Sequence, residues 1–168
     1  FTDWDLGIYI QAIIDAEELG LVARNGPWGA NERVDKLLTF LEDRELTAES
    51  MPYLWYDART GSRFGDTPTN VADTGKLLVA LGNLRLHRPE LAGRIDYVVY
   101  NRTKYGPFLS MVDKLTTSLS IYAYYIAMGF SYFWPQRHTP VAETILNNIV
   151  SADKVETYGA ELPKARIT

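Results

Sequence analysis

Thr69–Leu84 reads TNVADTGKLLVALGNL, and this stretch decides the fold because a shorter version of it occurs near the start of the chain. Residues 3–17 read DWDLGIYIQAIIDAE. When Asp5 is aligned with Asp73, both segments show Asp-x-Gly and then, five residues after the glycine, an alanine (Ala12 and Ala80). Each segment predicts the same event: a loop ends, an aspartate caps a new helix, and a closely packed helix follows.

The composition is that of an ordinary folded domain. Of the 168 residues, 46% are hydrophobic and 23% are charged, close to the average for globular proteins, so we expect one helical domain over residues 1–168. A net charge of −4 without a long Lys/Arg run argues against a nucleic-acid partner. The absence of cysteine excludes disulfides, thiolate metal sites and a cysteine nucleophile. We expect no metal and no cofactor.

Hydrophobic periodicity predicts an all-α fold of three consecutive helical hairpins. The predicted helices run over about Trp4–Leu19, Asn31–Arg44, Val71–Leu86, Pro89–Tyr105, Leu109–Tyr132 and Pro140–Ala152. Asn31 and Thr139 are the expected caps of the second and sixth helices, and the fifth is expected to break near Thr116. The first, third and fifth helices are the most apolar, which favours an inner and an outer helix layer. Between the second and third helices, residues 47–72 predict a long loop, and such loops are often functional.

Three short elements resemble those of one protein family. The resemblance to the domain of unknown function 3131 lies in Trp4-Asp5-Leu6-Gly7 with the YIQAIIDAEELGL that follows, in residues 72–81 (ADTGKLLVAL) and in residues 122–130 (YAYYIAMGF). That family is similar in turn to bacterial β-1,2-glucanases and to the glucoamylase-like part of cyclic β-glucan synthases. The resemblance spans about residues 3–132.

The resemblance implies a six-hairpin α/α toroid whose inner helices start around a sugar-binding funnel. Three helix pairs are half of such a toroid, and the family domain is roughly twice as long as this chain. The chain is therefore expected to be a fragment, a half-length relative, or a domain completed by a partner chain or a second copy. If a signal or anchor preceded Phe1, the protein would be extracytoplasmic.

Glycoside hydrolysis needs two carboxyl groups about 5–10 Å apart, one acting as acid and the other as base or nucleophile. Asp5 and Asp73 are the candidate catalytic residues because both lie at helix starts that would meet at one end of the inner layer. Aromatic side chains usually hold sugar rings, since their apolar faces match the C–H faces of a pyranose. The predicted substrate-binding residues are Asp3, Trp4, Trp28, Trp55 and Tyr56.

A structural interpretation competes with each of these assignments. An aspartate before a helix is most often only a cap, which contributes about 1 kcal/mol, and Tyr122 and Tyr125 are more often core or interface residues than a sugar platform. The leading hypothesis is a carbohydrate-directed, glycoside-hydrolase-like domain that acts on or binds a glucan-type polysaccharide. The alternative is a non-catalytic helical module that associates with a partner or a second copy.

Overall fold

A computed structural model describes residues 1–164, which are mostly helical with one small two-stranded sheet. The elements are α1 Asp3–Glu18, α2 Ala30–Asp43, α3 Val71–His87, α4 Ala92–Asp96, α5 Gly106–Val112, α6 Ile121–Phe133, α7 Pro135–Ser151, β1 Lys154–Thr157 and β2 Ala160–Pro163. The all-α prediction therefore holds for most of the chain but misses the antiparallel hairpin of β1 and β2. Residues 165–168 of the predicted domain lie outside the described residues.

The second half of the chain is more broken than its periodicity predicts. The fourth predicted helix is a succession of a 3-10 turn (Pro89–Leu91), α4 and a π-helical turn (Tyr97–Arg102). The fifth is divided into α5 and α6 by a 3-10 turn, Asp113–Thr117, close to the expected break. No described helix is both long and apolar enough to cross a lipid bilayer.

The start of α7 corrects the predicted sixth helix. It begins at Pro135, so Thr139 lies inside the helix and is not its cap. Proline at the first helical position is harmless, because its missing N–H would have no partner there. Pro140 lies within the helix but is exposed, as is Gln136. Pro140 has no N–H to donate to the backbone carbonyl of Gln136, and this carbonyl, on an exposed residue, can bond to water instead.

The aspartates of the repeated motif do not cap their helices. The caps are Thr2 and Asn70, whose side chains accept hydrogen bonds from the backbone N–H groups of Asp5 and Asp73, respectively. At α1 the carboxylate of Asp5 bonds back to the N–H of Thr2, which completes a capping box. Each aspartate is thus the third residue of its helix, and at α1 the cap uses only Oδ2 of the Asp5 carboxylate. The predicted cap of α2, Asn31, is likewise displaced by Gly29.

Helices α1, α3 and α6 form a parallel row. Gln11 bonds to Asn83 and Glu17 bonds to His87, so positions along α1 and α3 increase together. The row is tight because glycines remove the side chain where helices cross. A Cβ on Gly7 would lie 2.9 Å from the carbonyl oxygen of Lys76, and one on Gly75 would lie 2.7 Å from the Cα of Ile126. The three helices therefore begin at the same end of the molecule.

A second row supports the first. α2 packs on α1 and contacts the 89–102 segment, where Arg94 bonds to Asp35, Thr39 and Glu42. α7 packs on α6. The core between the elements is continuous and almost wholly apolar, with Ile10, Leu38, Leu77, Leu81, Phe130 and Ile145 fully enclosed. Burying such side chains contributes about 1.5–3 kcal/mol each, which holds the ends of α1, α3 and α6 in fixed relation.

Candidate functional site

The amino-terminal ends of α1 and α3 bring Asp5 and Asp73 together around Thr2. Asp5 Oδ2 accepts hydrogen bonds from the backbone N–H of Thr2 at 2.8 Å and from Thr2 Oγ1 at 3.2 Å. Asp73 lies close enough to Thr2 and Asp5 for both residues to influence the pKa of its carboxyl. Asp5 is exposed and Asp73 is half-buried.

The two carboxyls differ in environment. Burial raises the pKa of the Asp73 carboxyl above its ordinary value, and the negative charges of Asp3 and Asp5 add to the rise. Hydrogen bonds with Asn70 and Thr2 oppose the rise without cancelling it. A carboxyl that keeps its proton to higher pH is suited to general acid catalysis, and an exposed neighbouring carboxylate is suited to the complementary role.

Aromatic side chains of α1 and α6 surround a lysine beside these carboxyls. The ring centroids of Trp4 and Tyr122 are 5.9 Å apart. Lys76 Nζ of α3 lies 5.8 Å from the centroid of Trp4 and 5.2 Å from that of Tyr125. Both tyrosines are exposed, and Trp4 and Lys76 are half-buried. The rings of α1 and α6 and the lysine of α3 therefore form one surface at the end of the molecule where the carboxyls lie.

Asp3 lies below this surface and does not belong to it. Its carboxylate forms a two-pronged ion pair with Arg44, whose Nη1 and Nη2 each donate to one of its oxygens, and both side chains are fully buried. The guanidinium carbon of Arg44 is also 5.6 Å from the ring centroid of Tyr56. Burial disfavours the charged form of Arg44, but the Asp3 carboxylate outweighs it and raises the pKa of Arg44. The prediction that Asp3 contacts substrate is corrected accordingly.

Tyr56 is also unavailable to a ligand. Its side chain is 1% exposed, and its hydroxyl donates to the carbonyl of Glu45 at 2.6 Å and accepts from the N–H of Tyr53 at 3.0 Å. The ring fills the space beside Phe1 and Phe40. Tyr56 is therefore a core residue of the long loop, and its predicted role as a sugar platform is wrong.

The other two predicted aromatics do not belong to the surface around Trp4, although Trp28 shares a cavity with Asp5. Trp28 is exposed and lines a cavity of about 500 Å³ between α1 and α2. Trp55 is exposed in the long loop and, with Phe64, lines a second cavity of about 470 Å³. Of the predicted site residues, the structure thus brings together Asp5, Asp73 and Trp4.

Thr2, Lys76, Tyr122 and Tyr125 are the residues of this site that sequence reasoning missed. The Thr2–Asp5 spacing matches the capping-box pattern, which would have identified Thr2 as the cap. Tyr122 and Tyr125 share one helix face, but their nearness to Trp4 depends on long-range packing. Within residues 1–164, no three His, Asp or Glu side chains converge in a way that could hold a metal ion.

Comparison with known proteins gives one family. The family model described as "Protein of unknown function (DUF3131)" matches residues 1–105, which include both Asp-x-Gly helix starts. Neither a curated protein nor a solved structure matches the chain.

Proposed function

The chain belongs to the DUF3131 family, and from that premise we propose that it is a carbohydrate-directed, glycoside-hydrolase-like domain that acts on a glucan-type polysaccharide. The observation that supports this most is the position of Asp5 and Asp73 at neighbouring helix starts, where the Asp5 charge influences the pKa of Asp73, next to exposed aromatic rings. Two carboxyls of unlike environment beside a ring-binding surface are what glycosidic bond cleavage requires.

In this proposal the two carboxyls take different roles. Asp73, whose pKa is raised by burial, donates its proton to the glycosidic oxygen as the bond breaks. Asp5 attacks the anomeric carbon from the opposite face, and water then displaces it with Asp73 acting as base. Two successive displacements at the anomeric carbon retain its configuration. We therefore expect retention of configuration.

The proposed architecture is half of a six-hairpin α/α toroid. The support is the parallel row of α1, α3 and α6, with successive helices in contact and a second row packed against it. In a toroid the amino-terminal ends of such inner helices would surround one funnel, and Asp5, Asp73 and Tyr122 lie at those ends.

The test is hydrolysis of a panel of α- and β-linked glucans, with products read by mass spectrometry and anomeric configuration read by proton NMR. Asp5→Asn and Asp73→Asn should each lose on the order of 10²–10⁴-fold in rate, while the exposed Asp43→Asn of α2 serves as the matched control. Circular dichroism establishes that the variants are folded. Equal activity of Asp73→Asn and the unaltered protein would contradict the assignment, and inverted products would contradict the role given to Asp5.

A second candidate function is a non-catalytic helical module, and exposed apolar side chains favour it. Ile8 of α1 is 49% exposed and Leu19, directly after this helix, is 72% exposed. Ile121 and Leu146 at the other end of the row are also exposed. Exposed apolar side chains that gather into a patch mark association sites. Mass measured in solution tests this candidate, because a second copy on these flanks doubles the mass at high concentration, whereas a monomer at all concentrations argues against self-association.

A further inference from the structure

Two cavities on the surface of α1 and the long loop adjoin each other. The cavity of about 500 Å³ between α1 and α2 and the cavity of about 470 Å³ in the loop both contain Phe1 and Ala58 in their walls. We name these two adjoining cavities the aromatic cleft. Each cavity alone falls in the ~300–1,000 Å³ range typical of ligand sites.

Aromatic rings line the cleft along its whole length. They are Phe1, Tyr9, Trp28, Phe40, Trp55, Phe64 and the almost fully buried Tyr56. Trp28 is 76% exposed and Phe64 is 69% exposed, so a large ring faces solvent in each of the two cavities. The aliphatic lining consists of Leu6, Pro27, Leu37 and Ala58. A groove that binds a helix usually contacts it through aliphatic side chains, whereas planar aromatic side chains stack on other rings.

The wall that carries Trp28 is held in place by a hydrogen-bonded arginine. Arg33 Nε donates to the backbone carbonyl of Trp28 at 2.9 Å, and Arg33 Nη1 donates to the hydroxyl of Tyr9 at 2.9 Å. At the other wall the ring of Phe1 meets that of Phe40 edge-on, with centroids 5.2 Å apart. The rings are thus positioned before a ligand arrives, which reduces the entropy lost on binding.

The charges of the cleft nearly balance. Asp5 and Glu32 oppose Arg33 and Lys36 in the first cavity, and Glu32 bonds to Lys36 at 2.8 Å. Asp57 is the charged residue of the second cavity, and its carboxylate accepts from the turn amides of Arg59 and Thr60. A lining with nearly equal numbers of both signs favours a neutral ligand that carries hydroxyl groups over an anionic polymer.

We propose that the aromatic cleft binds consecutive pyranose rings of a neutral, linear polysaccharide, with Trp28 and Trp55 as stacking platforms. The inference rests on the proposed function, since Asp5 lines the first cavity and also belongs to the carboxyl pair. The cleft delivers a polymer chain to that pair, so the substrate is the interior of a chain and not a disaccharide.

The test is calorimetric binding of neutral gluco-oligosaccharides of increasing length, α-linked and β-linked, to the inactive Asp73→Asn variant. The affinity should rise from disaccharide to hexasaccharide. Trp28→Leu and Trp55→Leu keep an apolar side chain but remove the ring, and each should weaken hexasaccharide binding about tenfold. Trp28→Phe should keep most of the affinity. Tyr158→Ala, which removes an exposed aromatic outside both cavities, is the matched control and should bind normally.

The outcomes separate the two proposals. Equal affinity of all chain lengths, or normal binding by both leucine variants, overturns the cleft even if glucans are hydrolysed at Asp73. Binding that depends on Trp28 and Trp55 without hydrolysis by the unaltered protein supports the cleft and refutes the hydrolase. Failure of every neutral oligosaccharide to bind, or stronger binding of an anionic polygalacturonate, also overturns the cleft.

Discussion

Replacing Arg44 by methionine would leave the carboxylate of Asp3 buried without its partner. Both side chains are 0% exposed and are joined by two hydrogen bonds. Breaking one side of a buried ion pair costs about 3–5 kcal/mol, because the remaining charge is uncompensated. Within residues 1–164 the Nε of Arg44 has no hydrogen-bond partner, so the pair is not fully satisfied and we expect the lower part of that range. This is a large fraction of the ~5–15 kcal/mol that stabilises an ordinary domain.

The assay is urea unfolding at neutral pH, followed by circular dichroism. Arg44→Met should lower the free energy of unfolding by about 3 kcal/mol, or Tm by roughly 6–12 °C. The double variant Asp3→Asn/Arg44→Met removes both charges and should recover at least about 1 kcal/mol of that loss. The matched control is the exposed pair of Arg137 and Asp113, where Arg137→Met should produce no measurable change. A double variant less stable than Arg44→Met alone would refute the reasoning.

Three further predictions concern helix packing and pH. Gly129→Ala should lower the free energy of unfolding by about 1–3 kcal/mol, because the added methyl group would collide with the backbone of Gly75. Gly93→Ala in α4 should not lower it, because no atom lies within 4 Å of the added methyl group. Urea unfolding of both variants tests this. Burial raises the pKa of Glu17, but hydrogen bonds from Arg88 and His87 outweigh burial and lower this pKa below 4.5. The stabilisation that the charged Glu17 provides is therefore present above about pH 4.5 and is lost as the pH falls through the lowered pKa. Glu17→Gln should flatten the acid side of a profile of stability against pH. If glucan hydrolysis is found, the rate should fall as pH rises through the raised pKa of Asp73, and a rate that increases over that range would exclude Asp73 as the acid.

Helices α1 and α3 were predictable because their signals are local. Their apolar spacing gives their bounds to within one residue. The glycine of each Asp-x-Gly start is explained by the contact it makes. Gly7 and Gly75 lie where a neighbouring backbone leaves no space for a Cβ, a requirement that a repeated motif reveals without showing which helix is the neighbour.

The buried part of the candidate site was not predictable from one sequence. Asp3 looks equivalent to Asp5, and only the packing of residue 44 beneath α1 separates a structural carboxylate from an accessible one. Tyr56 looks equivalent to Trp55, yet a hydrogen bond to Glu45 turns its ring inward. In both cases the deciding partner is several turns or a whole helix away, so hydrophobic pattern and spacing carry no information about it.

The glycine contacts of the parallel row have a consequence for how this protein can change over evolutionary time. Where helices meet backbone to backbone, their spacing does not depend on which apolar side chains fill the core around them. Substitutions in α2 or α7 can therefore shift stability up or down without moving Asp5 relative to Asp73. The geometry of the helix starts and the stability of the scaffold are therefore separable traits, so selection can alter one while leaving the other unchanged.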